Sequence, residues 1–300
     1  IDNVVDDTTG HGSIVTAILL AASYNIEFNF YRVTQSNGLI QQRHLQNAIG
    51  MAHIEHDIDV INLSIGTDHS DNGSTDCSRN RTPCKISEAA LKCIDDGITI
   101  VAAGGNRQQL DSLSCPASVD EVICVGGYIP KCSARLTING PLSVGGKYRK
   151  PPNACWINRP DDIGTDEVLC SGQDCSPMHS CNGNRKDVEW EGTIASTGTK
   201  PDILAPCAIP VIVGVPQISI GTSWATPFVT ATTAEIVARV RDHGTDTSPQ
   251  TLRQGIIEGA VPLDNGTRKL FHSVNSWYYV FDSLGLPRPG FSSNTDLYSL

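Results

Sequence analysis

Apolar residues recur at helical spacing in several segments of the chain, and short apolar runs stand between these segments. Each predicted helix is followed by a predicted strand, and this alternation is typical of a mainly parallel sheet with helices on both faces. The predicted pairs are helix His11 to Ala22 with the extended run Ile26 to Val33, helix Gln41 to Glu55 with strand Val60 to Leu63, and helix Ile86 to Asp95, stopped by Gly97, with strand Ile98 to Ala103. A further buried strand is predicted from Val122 to Val125.

The regular pattern stops in the middle of the chain and returns later. Between Ile129 and about Gly192, polar, Gly, Pro and Cys residues dominate, which indicates a Cys-rich surface insert (129–192) rather than a second domain. A long helix is then predicted from Ser223 to Val240, ending at Gly244, and a shorter one follows. That shorter helix has Ser248 as its N-cap, Pro249 in its first position and its end near Gly259. We expect one domain over 1–285, which includes the insert, and a tail over 286–300.

Composition excludes several classes of protein. The chain has 300 residues, of which 39% are hydrophobic, and this fits a globular protein rather than a disordered one. It carries 22 basic and 32 acidic residues, so its net charge of -10 offers no basic surface for nucleic acid or for anionic lipid. The longest mostly apolar run, Ile14 to Ala22, is too short to span a bilayer. We therefore expect neither nucleic acid nor a membrane among its partners.

The cysteines favour an oxidising compartment. The chain has eleven cysteines, and two groups of them lie in polar stretches: Cys155, Cys170, Cys175 and Cys181 in one, Cys77 and Cys84 in the other. Disulfide bonds are expected in these stretches, with the pairing left open. Glycosylation acceptor sequences begin at Asn72 and Asn265, although such tripeptides also arise by chance. Together these features predict a secreted protein or one of the secretory-pathway lumen. Cys93, on the apolar side of a predicted helix, fits a core position.

Ser223 and His11 each lie at a glycine turn that opens a predicted helix, a position that suits a nucleophile or a base. Ser223 lies in the segment Gly221 to Pro227, at a glycine turn that opens a helix, where backbone donors and the helix dipole favour developing negative charge. An ordinary N-cap serine is the alternative for this position. His11 lies between Gly10 and Gly12, also at the start of a helix. A single histidine in such a place is more often structural.

Taken together, these motifs resemble the subtilisin-like serine proteases. The serine motif G-T-S-x-[SA]-x-P is matched at 221–227, and three further blocks, V-I-N-L-S-I-G at 60–66, V-A-A-G-G-N at 101–106 and K-P-D-I-L-A-P at 200–206, follow the family order. The resemblance implies the three-layer fold of that family, with Ser223 as nucleophile, His11 as general base and Asn106 as oxyanion donor. It also implies a peptide-binding cleft with two rims, one formed by Ser64, Ile65 and Gly66 and the other by Ala102, Ala103 and Gly104. The rims are expected to pair with an extended substrate as an added strand.

The aspartate of the family triad is not evident in this sequence. The family places it a few tens of residues before the histidine, whereas only ten residues precede His11, so we expect the domain to be N-terminally incomplete. Asp7 fits the histidine loop of the family rather than the triad. Asp2 follows an isoleucine as the triad aspartate often does, but Asn3 and Val4 replace the expected [ST]-G.

Two functions remain open from the sequence. The first is a serine endopeptidase that acts on protein or peptide substrates. The second is a catalytically impaired pseudoprotease, a binding module whose cleft holds a partner or its own prosegment, because the aspartate is not evident. An esterase of another serine fold is disfavoured, since no G-x-S-x-G surrounds Ser223. No cofactor and no metal ligand are predicted: the family resemblance allows a structural calcium ion, but no ligand loop is matched.

Overall fold

The computed structural model describes residues 7, 9–23, 26–34, 40–54, 58–67, 84–106, 113–128, 142–144, 147–149, 200–213, 215–263 and 268–289. In this part of the chain helices and strands alternate, as follows. The helices are α1 (His11–Ala22), α2 (Gln42–Ile54), α3 (Lys85–Asp95), α4 (Thr222–Asp242), α5 (Pro249–Glu258) and α6 (Ser273–Ser283). The strands are β1 (Val60–Leu63), β2 (Thr99–Ala103), β3 (Ile123–Tyr128), β4 (Leu142–Val144), β5 (Lys147–Arg149), β6 (Ile203–Pro206), β7 (Ala208–Val213), β8 (Val215–Ile220), β9 (Val261–Leu263) and β10 (Arg268–Leu270).

Six strands form the central sheet, in the order β1-β2-β3-β6-β10-β9. Neighbours from β1 to β10 run parallel, and only the pair β9 and β10 is antiparallel among the described strands of this sheet. Strand β2 lies inside the sheet, and every residue of it is buried, because helices cover both of its faces. The predicted mainly parallel α/β fold is therefore confirmed.

The core lies on both sides of this sheet. On one face, α2 and α3 pack their apolar sides against β2 and β3, with Leu45, Ile49 and Ala90 almost fully buried. Here Cys93 is also completely buried, as its place in the pattern predicts. On the other face lies α4, which packs against β1, β2, β3 and β6 and is joined by α1, α5 and α6. These are the three layers expected from the sequence.

Helix ends follow the capping signals of the sequence. Ser248 Oγ accepts a hydrogen bond from Thr251 N at 3.1 Å, and Pro249 occupies the first turn of α5, where its missing N–H is of no consequence. Helices α3 and α4 end just before Gly97 and Gly244, which both adopt positive φ angles of 91° and 70°.

The structure differs from the sequence predictions in three places. Residues 26–33 belong to none of the described strands and pair with none of them, and only Val33 among them is buried. Helix α6 and the small second sheet, ordered β5-β4-β8-β7, were not predicted. Of the predicted insert at 129–192, the structure describes only 142–144 and 147–149, which form β4 and β5. Cys155, Cys170, Cys175, Cys181, Cys77 and the acceptors Asn72 and Asn265 lie outside the described residues.

Candidate active site

His11 is the first residue of α1, and the preceding turn fixes its position. Gly10 is the N-cap with φ of 71°, a left-handed conformation that favours glycine. The Asp7 carboxylate caps the helix from outside: it accepts hydrogen bonds from Gly10 N at 3.0 Å and from Ser13 N at 2.7 Å. Asp7 therefore serves the start of α1, which agrees with its expected place in the histidine loop.

The electrostatics of this turn act on both titratable groups. Burial raises the pKa of Asp7, but the hydrogen bonds donated by Ser13 and Thr9 outweigh this effect and hold the pKa below its ordinary value. Burial of the imidazole lowers the pKa of His11, and the negative charge of Asp7 opposes that change. The imidazole is consequently neutral at pH 7, which is the form that can accept a proton.

Ser223 is the second residue of α4, at the N-terminus of the helix that packs against α1. Its hydroxyl donates a hydrogen bond to the Ser64 carbonyl oxygen at 2.8 Å. The next side chain, Trp224, is buried between the two helices, and its ring centroid lies 4.9 Å from that of His11 at an interplanar angle of 37°. The serine and the histidine, more than two hundred positions apart in the chain, are thus brought to neighbouring helix ends.

Asn106 reaches the same place from the end of β2. Gly105, with φ of 104°, turns the chain back toward α4, and its N–H donates to Thr222 Oγ1 at 3.2 Å. The Asn106 carbonyl oxygen Oδ1 then accepts hydrogen bonds from Thr222 N at 2.9 Å and from Thr222 Oγ1 at 3.2 Å. These contacts orient the amide of Asn106 and leave its Nδ2 group, a double donor, to act elsewhere.

The first predicted rim follows the last residue of β1. Ser64 is buried, whereas Ile65 and Gly66 are partly exposed. Gly66 packs closely against the loop at 113–119: a Cβ atom added at Gly66 would lie 2.5 Å from Ser114 Cβ. In the described residues β1 is the outermost strand of the central sheet, so this end of it has an edge available for an added strand.

The second predicted rim is more enclosed. Ala102 and Ala103 belong to β2 and are buried, and Ala102 is paired with β1 on one side and with β3 on the other. Gly104 N donates to Val125 O at 2.9 Å, and Gly104 O accepts from Ser114 N at 3.0 Å. Since the backbone groups of Gly104 already have partners, the expected pairing of this rim with a substrate strand does not fit. This applies to Gly104; a role of Ala102 and Ala103 in substrate binding stays a prediction.

Two residues beside the predicted site were missed by the sequence analysis. Thr222 orients Asn106, and Trp224 packs on the His11 ring. Both belong to the serine motif at 221–227, but a residue's place in a motif does not tell which distant side chain it contacts.

The K-P-D block at 200–202 forms a buried ion pair at the start of β6. Lys200 and Asp202 are buried and form an ion pair, with Lys200 Nζ 2.6 Å from Asp202 Oδ2. Asp202 also accepts from Cys124 N at 2.8 Å and pairs with Arg253 of α5, while Lys200 donates to Val122 O at 2.5 Å. This network fastens the start of β6 to β3 and to α5.

Three further points concern metal ligands, Asp2 and membrane-spanning helices. No group of three or more His, Cys, Asp or Glu side chains there is arranged to hold a metal ion. Asp2 lies outside the described part of the chain. No helix within that part is long and apolar enough to cross a membrane.

The fold places His11 and Ser223 in the first turns of α1 and α4, which pack against each other, and it joins Asn106 to Thr222 of α4. The model of the subtilase family matches residues 2–276, and the chain belongs to this family. It is accordingly a peptidase of the subtilase type. No curated protein matches the sequence significantly.

Solved structures of proteases share the fold at low sequence identity. The self-cleaved protease domain of PatA is 19% identical with a TM-score of 0.58, and the match covers 94% of this chain and 88% of that one. A lanthipeptide protease is 15% identical with a TM-score of 0.58, over 94% of this chain and 77% of that one. The prenylagaramide maturation protease PagA is 17% identical with a TM-score of 0.51, over 82% and 70%. At these identities the likeness concerns the fold alone.

Proposed function

We propose that this chain is a serine endopeptidase in which Ser223 is the nucleophile, His11 the general base and Asn106 the oxyanion donor. The observation that carries the proposal is that both chain neighbours of Ser223 contact the other two residues: the Trp224 ring packs on the His11 ring, and Thr222 N donates to Asn106 Oδ1. Membership in the subtilase family supports the same assignment. Protein or peptide chains, including the chain's own prosegment, are the proposed occupants of the cleft.

The reaction begins when Ser223 Oγ attacks the carbonyl carbon of a peptide bond. A C–O bond forms, and the hydroxyl proton passes to the neutral imidazole of His11. The imidazolium then gives this proton to the leaving amine as the C–N bond breaks, which leaves an acyl-enzyme. Water, deprotonated by His11, hydrolyses the ester and restores the serine.

The hydroxyl must turn before it can react. In the structure Ser223 Oγ donates to the Ser64 carbonyl oxygen at 2.8 Å, and no hydrogen bond joins it to the His11 ring in the described part of the chain. For the proposed reaction the hydroxyl must leave Ser64 O by rotation about the Cα–Cβ bond of Ser223 and donate to the His11 ring. Catalytic hydrogen bonds often become short only when substrate is bound, so this geometry fits a resting enzyme.

The oxyanion is stabilised by two donors of different origin. The Asn106 side chain is fixed through Oδ1, so that its Nδ2 group is available to a developing negative charge. The backbone N–H of Ser223 lies in the first turn of α4, where the helix leaves its N–H groups without partners in the helix. The dipole of this 21-residue helix adds to the stabilisation.

The substrate backbone is proposed to add to β1 as a strand along Ser64, Ile65 and Gly66. Ala102, Ala103 and Gly104 are proposed to form the other side of the cleft, where Gly104 contributes no backbone pairing because its N–H and C=O groups already have partners. The net charge of -10 favours neutral or basic peptides through long-range steering, an effect that salt weakens. Secretory localisation remains a prediction, and a structural calcium ion is allowed by the family resemblance with no ligand assigned.

A binding module without catalysis is the second candidate. Asp7 favours it, because its carboxylate caps α1 and therefore cannot be assigned to the triad, and the sequence shows no evident triad aspartate. In subtilases the triad aspartate holds the imidazole in the correct tautomer, and its loss from a related triad lowers turnover about ten-thousand-fold.

Labelling with a fluorophosphonate probe distinguishes the two candidates. An endopeptidase is expected to be labelled at Ser223, with label lost in Ser223→Ala and in His11→Ala, and to cleave an unstructured protein such as casein. A wild-type protein that is folded by circular dichroism yet remains unlabelled contradicts the endopeptidase. Retention of peptides by both the wild type and Ser223→Ala, without cleavage, then identifies the binding module.

A further inference from the structure

A pair of cysteines lies beside the cleft, where the proposed reaction does not use it. Cys84 is the N-cap residue of α3, and Cys115 lies in the loop at 113–119 that precedes β3, 31 positions later. Their Sγ atoms are 3.2 Å apart. We propose that Cys84 and Cys115 form a disulfide bond that fastens the start of α3 to the loop behind the cleft.

The geometry requires little adjustment. A disulfide bond is about 2.05 Å long, so the two sulfur atoms must approach by roughly 1.2 Å. Rotation about the Cα–Cβ bond of Cys84 supplies such a movement, because this side chain is only partly buried. Ser87 lies beside the two sulfurs and contacts both, with its Oγ 3.5 Å from Cys84 Sγ and 3.0 Å from Cys115 Sγ. Its hydroxyl can keep its contact with Cys115 when the bond forms.

Two other cysteines of the structure provide a contrast. Cys93 is buried and donates from Sγ to Ile49 O at 3.6 Å, and burial raises its pKa to about 11. Cys207 lies behind Gly127, and burial raises its pKa to about 12. Because the thiolate is the reacting form, both thiols are inert at neutral pH. They belong to the core, whereas Cys84 is open to solvent on one side.

The difference in exposure sets the order of the chemical steps. The partly exposed Cys84 thiolate attacks a small disulfide, such as oxidised glutathione, and releases one molecule of thiol. The buried Cys115 thiol then loses its proton and attacks Cys84 Sγ, which releases the second molecule of thiol. Two protein thiols are oxidised to one disulfide, and one small disulfide is reduced to two thiols. Cys115, with no exposed surface, reacts only within the protein.

The bond would act on the strands that form the cleft. The backbone of Cys115 exchanges two hydrogen bonds with Thr67, Thr67 N to Cys115 O at 3.1 Å and Cys115 N to Thr67 O at 2.9 Å. Ser114, beside it, donates to Gly104 O at 3.0 Å. The loop therefore holds the chain that follows β1 and the end of β2 together. Fixing Cys115 to α3 stabilises this arrangement, chiefly by restricting the unfolded chain.

Peptide mapping tests the pairing directly. The full chain is incubated with oxidised glutathione, alkylated without reduction, digested and analysed by mass spectrometry. The expected product is a peptide that contains Cys84 joined to one that contains Cys115. Finding both residues alkylated, or Cys84 joined to any other cysteine, overturns the proposal. Cys77→Ala is the matched control, because Cys77 is the nearest cysteine in sequence, and the Cys84–Cys115 link must survive it.

Thermal unfolding gives a second and independent measurement. Reduction of the oxidised protein is expected to lower Tm by roughly 5–15 °C through this bond. In Cys84→Ala the decrease of Tm on reduction must be smaller than in the wild type by that amount. In Cys77→Ala the part of the decrease that comes from the Cys84–Cys115 bond must remain. Equal shifts in the wild type and Cys84→Ala contradict the proposal. Neither measurement needs peptidase activity, so the disulfide proposal and the proposed function are tested independently of each other.

Discussion

Asn106 is held by Thr222, the residue that immediately precedes Ser223: its Oδ1 atom accepts a hydrogen bond of 2.9 Å from Thr222 N and one of 3.2 Å from Thr222 Oγ1. The oxyanion donor and the nucleophile are therefore positioned by a single turn, in which the N-terminus of α4 orients the amide that ends the β2 loop. Because Oδ1 is occupied, the amide cannot flip without losing both bonds, and Nδ2 stays directed away from Thr222.

Asn106→Ala is expected to lower kcat about 10²–10³-fold with little change in KM, because its Nδ2 group acts on charge that develops only in the transition state. This magnitude is the one known for the corresponding donor in another member of the family, subtilisin. Steady-state kinetics on a chromogenic peptide measure both parameters.

Thr222→Val is the matched control for this prediction. Valine removes the hydroxyl and keeps the backbone N–H, so that Asn106 retains the shorter of its two bonds. A loss of kcat smaller than that of Asn106→Ala is expected. The assignment of Asn106 is wrong if Asn106→Ala raises KM and leaves kcat unchanged.

The pH profile of kcat/KM is expected to report His11. Activity requires the neutral imidazole, so it falls as the pH drops through the pKa of this group. Burial lowers the pKa of His11 against the opposing charge of Asp7. The acidic limb is therefore expected below the ordinary histidine value of about 6.5. Asp7→Asn keeps an acceptor for the helix start but removes the charge, so it should move the limb to still lower pH.

Glu88→Gln, on the first turn of α3, removes an equal charge away from His11 and should leave the limb in place. Circular dichroism at each pH separates titration from unfolding. A limb that moves to higher pH in Asp7→Asn would contradict the electrostatic relation between Asp7 and His11.

The sequence was most informative where local signals decide the structure. The start of α5 depends on Ser248 and Pro249, both of which act within one turn of the helix. In the same way, the buried run of β2 requires cover on both faces, whatever supplies it. The residues of the candidate site could be found because each lies in a motif of its own, such as the glycine turn before Ser223.

Contacts between distant segments could not be predicted in this way. The run Ile26 to Val33 has an extended pattern, but a strand also requires a neighbour, and none of the described strands pairs with it. The contact between Cys84 and Cys115 depends on how α3 is placed over the loop before β3. The enclosure of Gly104 depends on hydrogen bonds to Val125 and Ser114, which no local pattern reveals.

Gly66→Ala is expected to destabilise the protein, because the added Cβ would lie 2.5 Å from Ser114 Cβ and 3.2 Å from Cys115 O. The loop behind the cleft would have to move, at a cost of about 1–3 kcal/mol in the free energy of unfolding. Gly50→Ala is the matched control: Gly50 lies inside α2 with no atom within 4 Å of the added Cβ, and alanine should stabilise that helix by about 0.5–1 kcal/mol. Urea unfolding measures both. Equal effects at the two positions would contradict the close approach at Gly66.

Asp202→Asn is expected to be among the most destabilising single changes, because it leaves Lys200 buried without its counter-charge. The Lys200 and Asp202 side chains are 3% and 1% exposed, and breaking such a pair costs about 3–5 kcal/mol, since the remaining charge cannot reach water. The matched control is Asp242→Asn, which breaks the exposed ion pair with Arg239. The Arg239 and Asp242 side chains are 63% and 66% exposed, so this change should cost less than about 1 kcal/mol. Urea denaturation gives both free energies. A loss at Asp202 no larger than at Asp242 would contradict the view that the K-P-D block fastens β6 to β3. Lys200→Met with Asp202→Leu should then recover only part of the stability, because it removes the buried pair together but leaves Arg253, which is 28% exposed, without this partner.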